Sequence, residues 1–488
     1  VLVLLLTVPV AAALVSLRAP AAAAKAVTAA SGVTCFGLVL ALVPEAGHRP
    51  LEYLSFLRVD AVSAVFLLAT GFLYAAVAVY SVGYLGHGRG EEGHAGFARY
   101  CRRYYLGLNL FCWSMLAAPM MGNLALLWIA VEVTTVISAL LVAIEDTDGA
   151  AEAAWKYLLI ASAGLSLALL ATIFAYYAGS QALGEHYDLS FAGLLHAGSR
   201  LPQDPVRLAF VLAVLGFGTK MGLFPVHTWL PDAHSEAPTP VSALLSGSLL
   251  AVSFYAVIRY FQVASAALGP RFPRDVLLAF GVASLLLAAL YLIEQRDLKR
   301  LLAYSSVEHM GILAIGLSFG APLALAGVLL HVLAHAAAKG NAFMGAGVLV
   351  RKLGSKRIAP AGGLDLLPWS GPLFLLAIFA LSALPPFGIF RSEFEIVAGG
   401  LSAGGSVAAA VLIVAVTVAF FGLSAAANRM LLAPREGPAR ALARGEPSAW
   451  MVAPVAAGVI ALAVLGVHPP AELTHLLGQA AAQLSGAA

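Results

Sequence analysis

Charge is what this chain mostly does without. Asp, Glu, Lys and Arg make up 11% of its 488 residues, against about 25% in soluble globular domains. A soluble fold is excluded on that ground, and a mean hydropathy of +0.91 agrees. Cysteine is equally scarce, and the spacing of Cys35, Cys101 and Cys112 fits neither an iron–sulfur cluster nor a zinc site. Redox chemistry within this chain is therefore not expected, and its cofactor content is read as none. The net charge is only +3 and the basic residues are scattered among connections. That leaves no clustered basic face for nucleic acid.

Apolar runs long enough to cross a bilayer recur from end to end. Short alternating segments of a barrel, about ten residues each, are not apparent. The chain reads as an all-α polytopic membrane protein. Its fourteen predicted spans are 1–17, 27–44, 59–83, 104–120, 122–144, 153–178, 206–225, 238–261, 275–294, 300–319, 322–350, 370–397, 405–430 and 449–467. The fourth and fifth meet in a very short loop between Pro119 and Asn123, and fusing them would give thirteen. The opening VLVLLLTVPVAAALV reads as a retained first span, and the tail AELTHLLGQAAAQLSGAA as weakly amphipathic and peripheral.

Loops after odd-numbered spans carry Arg18, Lys25, Arg89, Arg102, Arg103, Arg296, Lys299, Arg351, Lys352, Arg435 and Arg440, among others. The opposite side holds mainly Arg49, Arg200, Arg207, Arg271 and Arg274. The positive-inside rule puts the richer set in the cytoplasm and both termini on the outer side of a prokaryotic inner membrane.

The charges inside the spans carry the information. Glu132 lies midway along the fifth span, Lys156 opens the sixth and Lys220 stands in the seventh. Lys339 is well inside the eleventh, and Glu393 late in the twelfth. Each costs at least ~2.5–3.5 kcal/mol at mid-bilayer unless it faces water or a partner. Structural pairing or snorkelling is the plainer reading, and it fits Lys156, near its helix end, better than Glu132 or Lys220. His331, His335 and Lys339 recur every fourth residue, so they line one helical stripe over ~12 Å. Histidine titrates near neutrality, which suits a proton relay. Two histidines four apart also fit zinc, but H-V-L-A-H lacks an internal glutamate and has no evident further ligands.

Pro225, Pro231, Pro238 and Pro240 break the seventh span, beside His227, Asp232, His234 and Glu236. LSALPPFGIFRSEFEIV breaks the twelfth. Interrupted helices at matched positions point to inverted repeats. Glu308 and His309 in the tenth span echo Glu132 in the fifth. The expected division is therefore 1–103, a first five-helix repeat at 104–261, a second at 275–430, and 431–488.

Three stretches now carry a resemblance: Lys220 with PVHTWLPDAHSEAPTPVSALLSG, RDLKRLLAYSSVEHMG at 296–311, and HVLAHAAAKGNAF at 331–343. The chain resembles the proton-conducting, antiporter-like membrane subunits of respiratory complex I, Mrp cation/proton antiporters and group 4 NiFe hydrogenases. WIAVEVTTVISALLVA, AAWKYLLIASAG and PPFGIFRSEFEIV bring it nearest the hydrogenase-4 component F type.

The resemblance implies that Glu132 pairs with Lys220, and that Lys156 lies between them and the membrane-centre path. Lys339 would be the central lysine of the second half, with His331 and His335 as hydrated neighbours and Glu393 at the exit. His227, Asp232 and His234 match the loop beside the first break. It also implies partner subunits carrying iron–sulfur clusters and a NiFe, flavin or other redox centre, with further antiporter-like and small membrane subunits alongside. A Na⁺/H⁺ antiporter subunit, an inorganic-carbon uptake module and a purely structural anchor are the rival readings.

Overall fold

The computed structural model describes residues 1–54, 56–86, 94–184, 186–436 and 441–486; Arg89 and Arg440 of the loop-charge pattern lie outside them. The chain is helical almost throughout. In order come α1 (Leu2–Arg18), α2 (Ala21–Ala46), α3 (Ala61–Tyr84), α4 (His94–Ala117), α5 (Leu124–Val142), α6 (Asp148–Leu183) and α7 (Phe191–Ala197). Then follow α8 (Gln203–Met221), α9 (Trp229–Glu236), α10 (Thr239–Leu244), α11 (Leu250–Leu268), α12 (Arg271–Leu292) and α13 (Leu298–Phe319). The last are α14 (Pro322–Leu353), α15 (Gly363–Leu366), α16 (Ser370–Leu381), α17 (Gly388–Ser402), α18 (Ser406–Ala427), α19 (Ala449–Val467) and α20 (Ala471–Ser485).

Among the described residues, ten helices are long and apolar enough to cross a membrane. The other four predicted spans fall on α1, α4, α8 and the α16–α17 pair. The closest question is answered by a turn: α4 ends at Ala117, a 3₁₀ turn covers Ala118–Met120, and α5 starts after the Asn123 side chain caps it. The fourth and fifth predicted spans are separate helices.

Both expected breaks are present. α8 stops where Gly222 takes φ +84°, a left-handed conformation that glycine adopts without a Cβ clash. The chain resumes as α9 seven residues later. In the second half, Pro385 and Pro386 separate α16 from α17. A π-helical turn at Leu245–Leu249 joins α10 to α11, and the whole stretch is buried.

Small residues set the closest crossings. A Cβ on Gly281 of α12 would meet the Gly311 carbonyl oxygen of α13 at 3.0 Å, and one on Gly311 would meet the Gly281 oxygen at 2.9 Å. Such approach suits helices packing without a hydrophobic drive between them.

Loops grouped by the charge pattern meet at one end of the bundle. Lys25 donates to the Leu85 carbonyl, Arg351 to that of Tyr84 and Lys352 to that of Gly445. Asp297 and Arg357 form an antiparallel bridge.

Two details depart from expectation. Leu51–Tyr53 and Leu57–Val59 form a short antiparallel hairpin, β1–β2, whose Leu57 and Val59 bury against the helices. The tail is not peripheral: α20 buries Leu473, Leu476, Leu477, Ala480, Ala481 and Leu484 against α3 and α14. Its apolar residues recur at helical spacing, giving a narrow stripe that a neighbouring helix fills.

Candidate functional site

Lys220 lies in the last turn of α8, where helix carbonyls favour a cation. It is fully buried. Its Nζ donates to Thr135 Oγ1 of α5 at 2.6 Å and to the Tyr157 hydroxyl of α6 at 2.5 Å. Tyr157 in turn lies 2.7 Å from Ser138 Oγ, which donates to the Thr134 carbonyl at 2.6 Å. The ammonium thus heads a chain of hydroxyls.

The Glu132–Lys220 pair is not a direct ion pair. Glu132 is half-buried and its Oε2 has no hydrogen-bond partner. The reason is local: Thr135, one turn on, reaches the ammonium instead. The carboxylate shares a stripe with Ile129 and Val136, which are 47% and 49% exposed.

Lys156 precedes Tyr157 but points elsewhere. Its side chain is 48% exposed and sits 2.6 Å from Glu152 and 3.3 Å from Asp232. Arg300 of α13 holds the other Asp232 oxygen at 2.8 Å. Asp232, on α9 within the first break, therefore ties α6 to the second half. The structure does not bring Lys156 to the Lys220 ammonium.

In the second half, α14 carries the stripe read from the sequence, and all three residues on it are fully buried. Lys339 Nζ donates to Ser305 Oγ and, at 2.9 Å, to the Leu302 carbonyl. Glu308, one turn beyond Ser305 on α13, is buried with Oε2 unpartnered. Each half thus presents a buried lysine on a hydroxyl, with a carboxylate three residues from that hydroxyl.

His309 brings the next groups together. Its Nδ1 is 3.1 Å from His331 Nε2 and 4.0 Å from Glu393 Oε1. His331 Nδ1 lies 2.9 Å from Ser392 Oγ. The His335 ring is 5.2 Å from that of His309, with both nitrogens unpartnered.

Aromatic rings join the two halves. Tyr157 packs on Trp229 with centroids 4.4 Å apart, and Trp229 lies 6.5 Å from His234. His234 packs at 5.4 Å on Phe343, one turn beyond Lys339, and neither of its ring nitrogens has a partner. His227 stands in the connector between α8 and α9, 6.1 Å from Phe224, with Nδ1 unpartnered.

Sequence reading passed over several of these groups. Thr135, Tyr157, Ser305 and Ser392 are hydroxyls in apolar helices whose signal is position alone, adjacent to a charge or three residues from one, and Ser138, six residues from Glu132, carries not even that. Lys299 reads as a loop charge in the sequence, yet it is buried and donates to the Ser235 and Ala237 carbonyls at 3.0 and 2.5 Å. Lys356 binds the same turn through the Ser235 carbonyl and Glu236 at 3.1 and 2.8 Å. Together they close the C-terminal end of α9.

Residues 94–421 match the family described as NADH:quinone oxidoreductase/Mrp antiporter, transmembrane. The chain belongs to that family. It is 36% identical over 353 residues to a hydrogenase-4 component F homolog of Methylacidiphilum infernorum, covering 71% of this chain and 73% of the relative. Hydrogenase-4 component B of Escherichia coli is 32% identical over 362 residues, and the chain spans about half of that relative, 51%. The fold is that of a subunit in the Mrp complex from Dietzia, with a TM-score of 0.84 at 21% identity over 99% of this chain and 96% of the other. The family and its apolar helices make this an integral membrane protein.

Proposed function

We propose that this chain is a proton-translocating module of a multisubunit redox complex of the hydrogenase-4 or complex I kind, in which partner subunits perform electron transfer. One observation carries the reading: buried ionisable groups form a series from Lys220, past His234, to Lys339, His335, His331, His309 and Glu393. Buried polar atoms in native proteins are satisfied by protein or water. The unpartnered atoms of His234, Glu308, His335 and Glu393 therefore support a hydrated path between the lysines and the exit.

The proposed topology is fourteen spans, with α8–α9 and α16–α17 as the broken seventh and twelfth. Two inverted repeats cover 104–261 and 275–430, and both termini face outward. The repeated arrangement of lysine, hydroxyl and carboxylate supports the repeats.

In the proposed cycle, Lys220 holds a proton on Thr135 and Tyr157. Approach of the Glu132 carboxylate favours the charged ammonium, and its withdrawal lowers the lysine's affinity for the proton. The released proton moves by way of His234 to Lys339, then through the histidines to Glu393. Each unit of pKa change is worth about 1.4 kcal/mol, so a few kcal/mol of electrostatic coupling is enough to drive the step. Asp232, held by Lys156 and Arg300, links the halves mechanically.

The outward stripe of Ile129, Glu132 and Val136 places a carboxylate on an apolar helix face. Another antiporter-like subunit, rather than lipid, is the covering that such a face favours. The redox centres of the assembly, iron–sulfur clusters with NiFe or flavin, would belong to a peripheral arm.

The test is Lys220→Ala in the assembled complex, reconstituted in vesicles, with protons counted per electron transferred. The ratio should fall while the subunits still co-purify. An unchanged ratio removes Lys220 from the path.

A further inference from the structure

Two histidines four residues apart cannot hold a metal by themselves. The fold adds what the α14 sequence lacks: ligating atoms of His309, His331 and Glu393, from α13, α14 and α17, all lie within 4.8 Å of one another. The His309 Nδ1 to His331 Nε2 distance is 3.1 Å, and His309 Nδ1 to Glu393 Oε1 is 4.0 Å. Zinc binds nitrogen and oxygen at ~2.0–2.2 Å, which sets tetrahedral edges of ~3.3–3.6 Å. These two separations bracket that edge, so small side-chain shifts would complete three corners of the shell.

We propose that His309, His331 and Glu393 form a site for a divalent transition-metal ion of the zinc type, and that the bound ion blocks proton passage; the blocking half rests on the proton reading above.

The surroundings are those of a built site. His309 and His331 are fully buried and Glu393 is 6% exposed. Glu393 Oε1 has no hydrogen-bond partner, leaving an acceptor that a cation satisfies. The 2.9 Å contact from His331 Nδ1 to Ser392 Oγ lets the hydroxyl accept from Nδ1–H, which turns the Nε2 lone pair towards His309. Orienting contacts of this kind accompany histidine ligands. Two imidazoles and one carboxylate, with a fourth position open, match a three-ligand zinc shell. The His335 ring lies 5.2 Å from that of His309 and 6.3 Å from that of His331, with both nitrogens unpartnered. Imidazole ligands select zinc, copper or nickel over magnesium and calcium. The ion would displace the proton in the His309–His331 contact, and that proton would leave to solvent.

The experiment uses the purified assembled complex after chelator treatment. Zn²⁺ is measured by equilibrium dialysis with elemental analysis, and Co²⁺ by its tetrahedral absorption bands. The site predicts one tight ion per chain, lost in His331→Gln and in Glu393→Gln. The ion should be retained in His48→Ala/His475→Ala, which removes a neighbouring histidine pair outside the site. Ser392→Ala, which spares the ligands, should weaken binding by about 10–100-fold. Binding unchanged in both ligand variants overturns the site.

Zn²⁺ added to pumping vesicles should inhibit the wild type in step with occupancy of this site. Occupancy without inhibition keeps the metal site and removes the block. Pumping that depends on His331 in a complex that binds no ion removes the metal site and leaves the proton reading standing.

Discussion

The Lys220 ammonium rests on the Tyr157 hydroxyl, 2.5 Å away, and not on Glu132. A neutral acceptor holds the proton without pinning it, which leaves the carboxylate free to act as the variable charge. Hydrogen bonds to charged groups are worth about 1.5–3 kcal/mol, and 1.4 kcal/mol is a factor of ten. Tyr157→Phe and Thr135→Val should each slow vesicle acidification about tenfold with assembly intact. Unaltered rates would reduce these hydroxyls to packing.

A second buried pair lies apart from the path. Asp60 caps α3 and meets Arg259 of α11 at 2.6 Å, and the guanidinium also packs on Phe191 and Tyr255. Breaking a buried pair from one side costs about 3–5 kcal/mol. Asp60→Asn should therefore lower stability by about that much in thermal or denaturant unfolding, and Asp60→Asn/Arg259→Met by less. A single variant as stable as the wild type would show that the pair contributes nothing.

Lys156 gives the contrasting case. Half-exposed ion pairs are worth about 0–1 kcal/mol, and its partners Glu152 and Asp232 sit near the surface end of α6. Lys156→Ala should leave stability within about 1 kcal/mol and slow pumping only in part. Loss as complete as in Lys220→Ala would put Lys156 in the path.

What was readable in the sequence followed from cost. Lys220 and Lys339 stood out because a charge inside an apolar run demands a reason, and the prolines at 225 and 385–386 announced the breaks. The grouping of loops at one end also follows from their charges. Thr135, Tyr157 and Ser305 were hidden because hydroxyls in apolar helices are common and cheap. The meeting of His309, His331 and Glu393 depends on how α13, α14 and α17 cross, which no spacing within one helix reveals. Lys299 was misplaced because the first turn of a helix reads as loop. The tail reads as peripheral because its apolar stripe is narrow, and its partners on α3 and α14 are far away in sequence.

The central claim is that Lys220, Lys339 and Glu393 share one wet interior. A high-resolution map of the assembled complex in lipid tests it most directly. Ordered waters are predicted beside His234, between Lys339 and the histidines, and at Glu393, at hydrogen-bond distance from the atoms that lack protein partners. Dry apolar packing separating these groups would contradict it.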